Sequence, residues 1–273
     1  MMETVSVGSS SSGNSYIIIA GGHTILLDVG LPAKKIKGAL EHLGCDPAQV
    51  DAVLITHEHI DHVKSVRAVS RCCTEARFYA SRGTVEHAQN FCHVDEERLH
   101  LMRPGDAAEL GDVVLRAFSL SHDAAEPIGF TIEAAGEKLA VVTDSGVITD
   151  EIFDAVKDAD QLVFEANHDV DMLMFGEYPY PVKVRIKGDM GHLSNDSAGE
   201  VLSRVLGYRR DTGAQKPLRI MLAHLSFHNN IPLFAKQTVE DRLCEDGFTK
   251  GRDYVLDVAA KEGLTFMPGG SDA

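Results

Sequence analysis

Thr56-His57-Glu58-His59-Ile60-Asp61-His62 follows the apolar triplet Val53-Leu54-Ile55 and reads H-x-H-x-D-H. Three imidazoles and a carboxylate thus fall within six residues, on the loop leaving a short buried strand. That donor set suits zinc, manganese or iron(II). In an extended segment His57, His59 and Asp61 would share one face, with His62 opposite. A bend after His59 would give the first pair to one ion and Asp61-His62 to a second. The alternative is a solvated histidine-rich loop, and four ligand-type residues at this spacing count against it.

Outward from the motif, the chain reads as alternating strands and helices. Strands are expected over 4–7, 16–20 and 24–28, the last ending in an acid, with a hairpin turn at Gly21-Gly22. Pro32 opens a helix that Gly44 stops, and a helix over 60–72 begins inside the motif. Segments 113–120, 128–134 and 138–143 read as a meander. Further strands fall at 77–80, 162–164, 220–222 and 254–258. Helices are expected over 84–92, from Thr149 or Asp150 to about 157, from Ser194 or Asn195 to about 206, and over 232–244. Residues 169–191 show no regular pattern, except that Lys183, Arg185 and Lys187 alternate with apolar residues. On a strand their charges would share one face and line a phosphate track; a charged, solvated edge strand is the alternative. With no repeat or linker, the chain reads as a single domain, 1–273, with two sheets between helices.

Composition narrows the class. A chain of 273 residues with 44% apolar and 25% charged residues has ample core, and no apolar run is long enough to span a bilayer. Neither a secretory signal nor a C-x-x-C pair is visible among the five cysteines, so free thiols in the cytoplasm are expected, with Cys72-Cys73 a redox candidate. The formal net charge of −15 disfavours nonspecific adhesion to nucleic acid. It does not exclude a phosphodiester substrate held by bound cations.

More ligand-type residues stand where apolar strands end: Ser121-His122-Asp123, Thr143-Asp144-Ser145-Gly146 and Ala223-His224-Leu225-Ser226. Any one alone is better read as a core histidine or a capping acid. Their recurrence behind a complete H-x-H-x-D-H motif reverses that reading.

Taken in this order, the motifs resemble the metallo-β-lactamase superfamily over nearly the whole chain. The resemblance implies an α/β fold, the four-layer αββα sandwich, with two divalent metal ions per chain (zinc or manganese, with iron also acceptable). It assigns His57, His59 and His122 to one ion, Asp61, His62 and His224 to the other, and Asp144 to both. True lactamases lack a histidine matching His62 and a bridging carboxylate, which argues against antibiotic hydrolysis. Within the superfamily, Gly8 to Ile18 (GSSSSGNSYII), Phe164-Glu165-Ala166-Asn167-His168-Asp169, Gly191-His192-Leu193-Ser194-Asn195 and His224-Leu225-Ser226 before Asn229-Asn230 resemble the YycJ/WalJ (VicX) group. Ser15 departs from it, where cysteine is expected.

That group implies a hydrolase acting on DNA as a 5′→3′ exonuclease, a phosphodiesterase attacking with a metal-bound hydroxide. The residues expected to act in the reaction are Asp61, from within the ligand set, together with His192, Glu165 and His168. Gly191-His192-Leu193-Ser194 resembles the histidine loop of ribonuclease Z, which implies that His192 is a non-ligand histidine facing the scissile phosphate and Glu165 an acid that orients it. For His192 the alternative is a residue beside a helix cap; for His168, structural packing. Two other readings compete: a small-molecule thioester or phosphodiester hydrolase of the same fold, and a non-catalytic metal-bound regulatory module.

Overall fold

Gly21 and Gly22 both take left-handed backbone, at φ 59° and 82°, and this turn sets the first hairpin. It joins β2 (Ser15–Ala20) to β3 (His23–Leu27), with β1 (Glu3–Gly8) on the other side of β2. The computed structural model describes residues 2–269. Its strands form two mixed sheets accompanied by helices, so the α/β class expected from the sequence holds. The residues divide into two compact units, neither of them a continuous stretch of chain.

The first unit comprises 2–119, 124–137 and 260–266 of the described residues. Its sheet continues from β3 through β4 (Ala52–Leu54), β5 (Arg77–Ala80) and β6 (Leu99–Leu101), all parallel. A short strand at Thr265–Phe266 pairs antiparallel with β1 at the other edge. Ile17, Leu26, Val53 and Phe78 are fully buried and pack with Ile36 and Leu40 of α1 (Ala33–His42). Each such side chain contributes roughly 1.5–3 kcal/mol. The helix expected over 60–72 is two, α2 (Ile60–Val63) and α3 (Val66–Cys72). Ser65 interrupts it because its N–H goes to Val29 O (2.9 Å) and its hydroxyl to Leu31 O (2.6 Å). Following α4 (Arg82–His87), β7 (Ala107–Leu110), β8 (Val113–Ser119) and β9 (Ile128–Ala134) form an antiparallel meander.

The second unit comprises 120–123, 138–259 and 267–269 of the described residues. Strands β10 (Glu137–Val142), β11 (Gln161–Glu165), β12 (Leu218–Ala223) and β13 (Tyr254–Val258) run parallel, as near-continuous apolar runs do when buried. They are connected through α5 (Asp150–Val156), α6 (Val170–Phe175), α7 (Tyr180–Lys187), α8 (Asn195–Asp211) and α9 (Pro232–Glu245). Thr149 and Ser194 cap α5 and α8 through their side-chain oxygens, as the sequence suggests. Helix α8 runs five residues past the expected end because Arg209 is buried and donates to Ala159 O and Lys216 O.

The structure corrects the basic segment 183–187, which is helix and not strand. Pro179 and Pro181 start a helical turn, and none of its residues is buried. Helical spacing puts Lys183 and Lys187 on one face, whereas Arg185 donates to both carboxylate oxygens of Asp123 at 2.5 and 3.0 Å.

Candidate metal centre

In the first unit the H-x-H-x-D-H segment turns where the sequence suggests. His59 is the N-cap residue of α2, with ψ 145°, so the chain passes from extended to helical immediately after it. His57 and His59 lie edge to face with ring centroids 4.6 Å apart. Asp61 and His62 begin the helix, and His62 Nε2 is 3.4 Å from Asp61 Oδ2.

Two residues outside the expected site set the histidine tautomers. Asp28, fully buried and left-handed at φ 55°, accepts from His62 Nδ1 at 2.7 Å. It also accepts from the Thr56 backbone N–H at 3.0 Å and from the Thr56 hydroxyl at 3.0 and 3.1 Å. With its proton given to Asp28, the hydroxyl can only accept from His57 Nδ1, 3.0 Å away. Both imidazoles therefore present Nε2 lone pairs, the arrangement that metal-binding histidines use.

The GSSSSGN loop is a built part of this unit and not a flexible turn. Asn14 Oδ1 accepts from the Ser9 hydroxyl and the Ser10 N–H, while its Nδ2 lies 3.2 Å from His62 Nε2. The Asn14 N–H donates to Asp61 O and its own carbonyl accepts from Gly30 N–H. A Cβ on Gly30 would stand 1.5 Å from Asp61 O, so only glycine fits there. Asp28, Thr56 and Asn14 are functional residues that sequence reasoning passed over. Their signals were an acid closing a strand, the first residue of the motif stretch and a small-residue loop.

In the second unit the parallel register does the assembling. Val142, Phe164 and Leu222 are aligned partners, so Asp144, Glu165 and His224 leave three neighbouring strands at one edge. Asp144 and His224 are both left-handed, at φ 60° and 57°; with Asp28 they are three of the four such non-glycine residues among those described. Backbone strain of this kind costs about 1–3 kcal/mol per residue and collects at functional sites. Asp144, Glu165, His192 and His224 each offer a ligand atom, all within 4.8 Å of one another.

Glu165 is the hub. Its Oε1 accepts from His192 Nδ1 at 2.8 Å and from His224 Nδ1 at 2.9 Å. Its Oε2 accepts the N–H groups of Ser145 (3.0 Å) and Leu193 (3.1 Å). Burial pushes this carboxyl up, but the adjacent His192 and His224 outweigh it and hold Glu165 down at about 2. Four donors on two oxygens make it an orienting anion and not a ligand. His122 donates from Nδ1 to Gly191 O at 3.2 Å, which again leaves Nε2 for the front.

The donor spacing supports a cation. Tetrahedral ligands at about 2.0–2.2 Å from an ion lie about 3.3–3.6 Å from each other. Asp144 Oδ1 is 3.4 Å from His224 Nε2 and 3.7 Å from His122 Nε2. Together with the 3.4 Å pair of Asp61 and His62, these are lone pairs held at the separation a shared divalent ion produces.

His168 stands apart. It is buried behind the strand end, joins none of the ligand groups found among the described residues, and neither ring nitrogen has a hydrogen-bond partner. Its carbonyl accepts the Asn195 N–H at 2.9 Å, tying the strand to the start of α8. Burial, only partly opposed by Glu165, pulls its pKa down to about 4, so the ring is neutral.

With the geometry in hand, residues 23–210 match the model of the β-lactamase superfamily domain. The chain is 34% identical over 251 residues to exodeoxyribonuclease WalJ of Streptococcus pneumoniae serotype 2, covering 91% of this chain and 90% of that one. It is 32% identical over 251 residues to exodeoxyribonuclease YycJ of Bacillus anthracis, covering 92% of each. Among solved structures, the metallo-β-lactamase fold protein YhfI of Bacillus subtilis matches with a TM-score of 0.71 over 97% of this chain and 99% of that one, at 15% identity. That last likeness speaks for the fold alone.

Proposed function

The chain belongs to the metallo-β-lactamase superfamily, and from that premise we propose that it is a metal-dependent phosphodiesterase, a 5′→3′ exodeoxyribonuclease of the cytoplasm. The observation that carries the reading is the Glu165 hub, which fixes one histidine of the ligand set and one outside it through a single oxygen. A protein that only stored metal would have no use for the second. The motif order supports His57, His59 and His122 for one ion, Asp61, His62 and His224 for a second, and Asp144 for both. Neither compact unit is continuous in sequence, which favours reading 1–273 as one domain. Among the described residues no helix is long and apolar enough to cross a membrane.

When bound, divalent ions would neutralise charge on the phosphoryl oxygens and acidify the attacking water. The protein's own residues do the rest. Glu165, ionised throughout the physiological range, holds the His192 and His224 rings in one orientation. His224 gives its Nε2 to the ligand set. His192 gives a proton from Nε2 to the departing oxygen, and the carboxylate at Nδ1 compensates the imidazolium charge that this step requires. Asp28 and Thr56 hold His62 and His57 with Nε2 forward.

End-labelled DNA supplied with manganese tests the reading. Both single and double strands should shorten progressively from the 5′ end, with bis-p-nitrophenyl phosphate a poorer substrate because it lacks remote contacts. Robust turnover of a thioester with DNA untouched would overturn it.

A further inference from the structure

Most large apolar side chains exposed among the described residues fall between Met174 and Phe234, in the second unit. Three of them are widely exposed rings: Phe175 at 88%, Tyr180 at 70% and Phe227 at 64%. Exposed apolar side chains gathered in one region of a soluble surface mark a site of interaction. Phe227 packs edge-on against His228 with centroids 5.1 Å apart, and His228 lies 5.7 Å from Tyr178. The two segments that carry them are joined, since Asp169 N–H donates to Asn229 O at 2.9 Å.

Cations accompany the rings. Helix α7 contains three basic residues and no acid. Lys183 Nζ donates to Met174 O and Gly176 O, at 2.8 and 2.7 Å, which places an ammonium beside Phe175. Lys187 lies exposed one turn further on. In a chain of net charge −15, a helix of this sign is a local exception. The face is also continuous with the Glu165 cluster. His192 N–H donates to Ile186 O, Arg185 holds the carboxylate next to His122, and Phe227 follows His224 by three residues.

We propose that this face is the track on which a single-stranded DNA end lies, its bases stacked on Phe175, Tyr180 and Phe227 and its phosphates beside Lys183 and Lys187. The inference rests on the phosphodiesterase reading above and adds the form of the substrate. Stacking is indifferent to base identity, because every base has a π face, so the track is sequence-tolerant. With only two or three phosphate contacts, affinity depends on salt weakly, with a log–log slope of about −1.4 to −2.1 for a single strand.

The test compares metal-loaded wild type with the F175A/F227A double variant, both of which should keep the native circular dichroism spectrum since the two rings are exposed. On dT12 the variant's KM should rise tenfold or more, in line with one or two lost base contacts. On bis-p-nitrophenyl phosphate, which cannot reach the track, rates should agree within twofold. Lys187→Ala should lower the salt slope by about 0.7. Equal KM values on dT12 would overturn the track. So would light scattering that shows a wild-type dimer broken by F175A/F227A without any change in KM, because a second copy would then own the face. If wild type turns over the small ester but no DNA, the exonuclease reading fails by itself; anisotropy of labelled dT12 then decides the track, which stands only if binding weakens tenfold in the variant.

Discussion

The two ligand-bearing regions solve one problem in opposite ways. In the first unit a single stretch of six residues, from His57 to His62, supplies every candidate ligand, and Asp28 with Thr56 sets the tautomers from behind. In the second unit the candidate ligands come one at a time from separate strand ends, and one carboxylate, Glu165, holds two rings together. A local loop can be read as a motif and tolerates change around it. A cluster assembled by register depends on the sheet and on one buried anion. Disturbing the second should therefore cost more.

The widest separation is expected from Asp144, whose Oδ1 lies within 3.4–3.7 Å of three histidine nitrogens. Asp144→Ala should lose at least one of two ions per chain, read by elemental analysis, and all measurable turnover; chelation of wild type should do the same. A variant that keeps both ions and full rate would dissolve the comparison.

Next comes His192. His192→Ala should keep its metal and fold while kcat falls by about 10²–10⁴-fold, the scale of a lost acid–base group. The deficit should shrink on a substrate whose leaving group is p-nitrophenolate, which needs no proton. His224→Ala, in contrast, should lose metal and rate together on both substrates.

A smaller and more diagnostic contrast is Glu165→Gln against Asp28→Asn. Each replaces an orienting carboxylate by an amide, and each should weaken metal binding by about 10–100-fold in a chelator competition. Glu165→Gln should fall at the severe end, because Glu165 holds two histidine rings directly and Asp28 holds one. Equal losses would mean that the loop depends on its support as much as the register-built cluster does.

The mildest effect concerns His168, whose burial holds its pKa at about 4, below the ordinary 6.5. Between those values the unfolded chain binds a proton that the folded protein refuses. Its contribution to stability is therefore complete above about pH 6.5 and is lost as pH falls toward 4. Urea midpoints of His168→Leu should vary less between pH 7 and 4.5 than those of wild type; identical profiles would remove His168 from the acid limb.

What could be read without coordinates divides along the same line. The H-x-H-x-D-H loop, its bend after His59, the strand-end acids and histidines, and the caps at Thr149 and Ser194 all lie within a few residues of their own signal. Short-range chemistry of this kind is printed in the chain: spacing fixes which side chains can share an ion, and a hydroxyl before a helical run fixes where the helix starts. The alternating Lys183-Val184-Arg185-Ile186-Lys187 pattern failed as a strand because two prolines upstream set helical backbone, and local alternation carries no weight once that turn has formed.

Other features belong to the tertiary structure alone. Nothing near Asp28 in sequence reveals that His62, thirty-four residues later, will donate to it, nor that Asn14 will close against Asp61 and His62. Glu165 becomes a hub only because Val142, Phe164 and Leu222 fall into one parallel register, which brings three strand ends to a single edge. The short-range pattern thus determined which residues carry the chemistry. Long-range pairing decided their tautomers and their neighbours, because a hydrogen bond across dozens of residues exists only after the backbone that presents both partners has been packed.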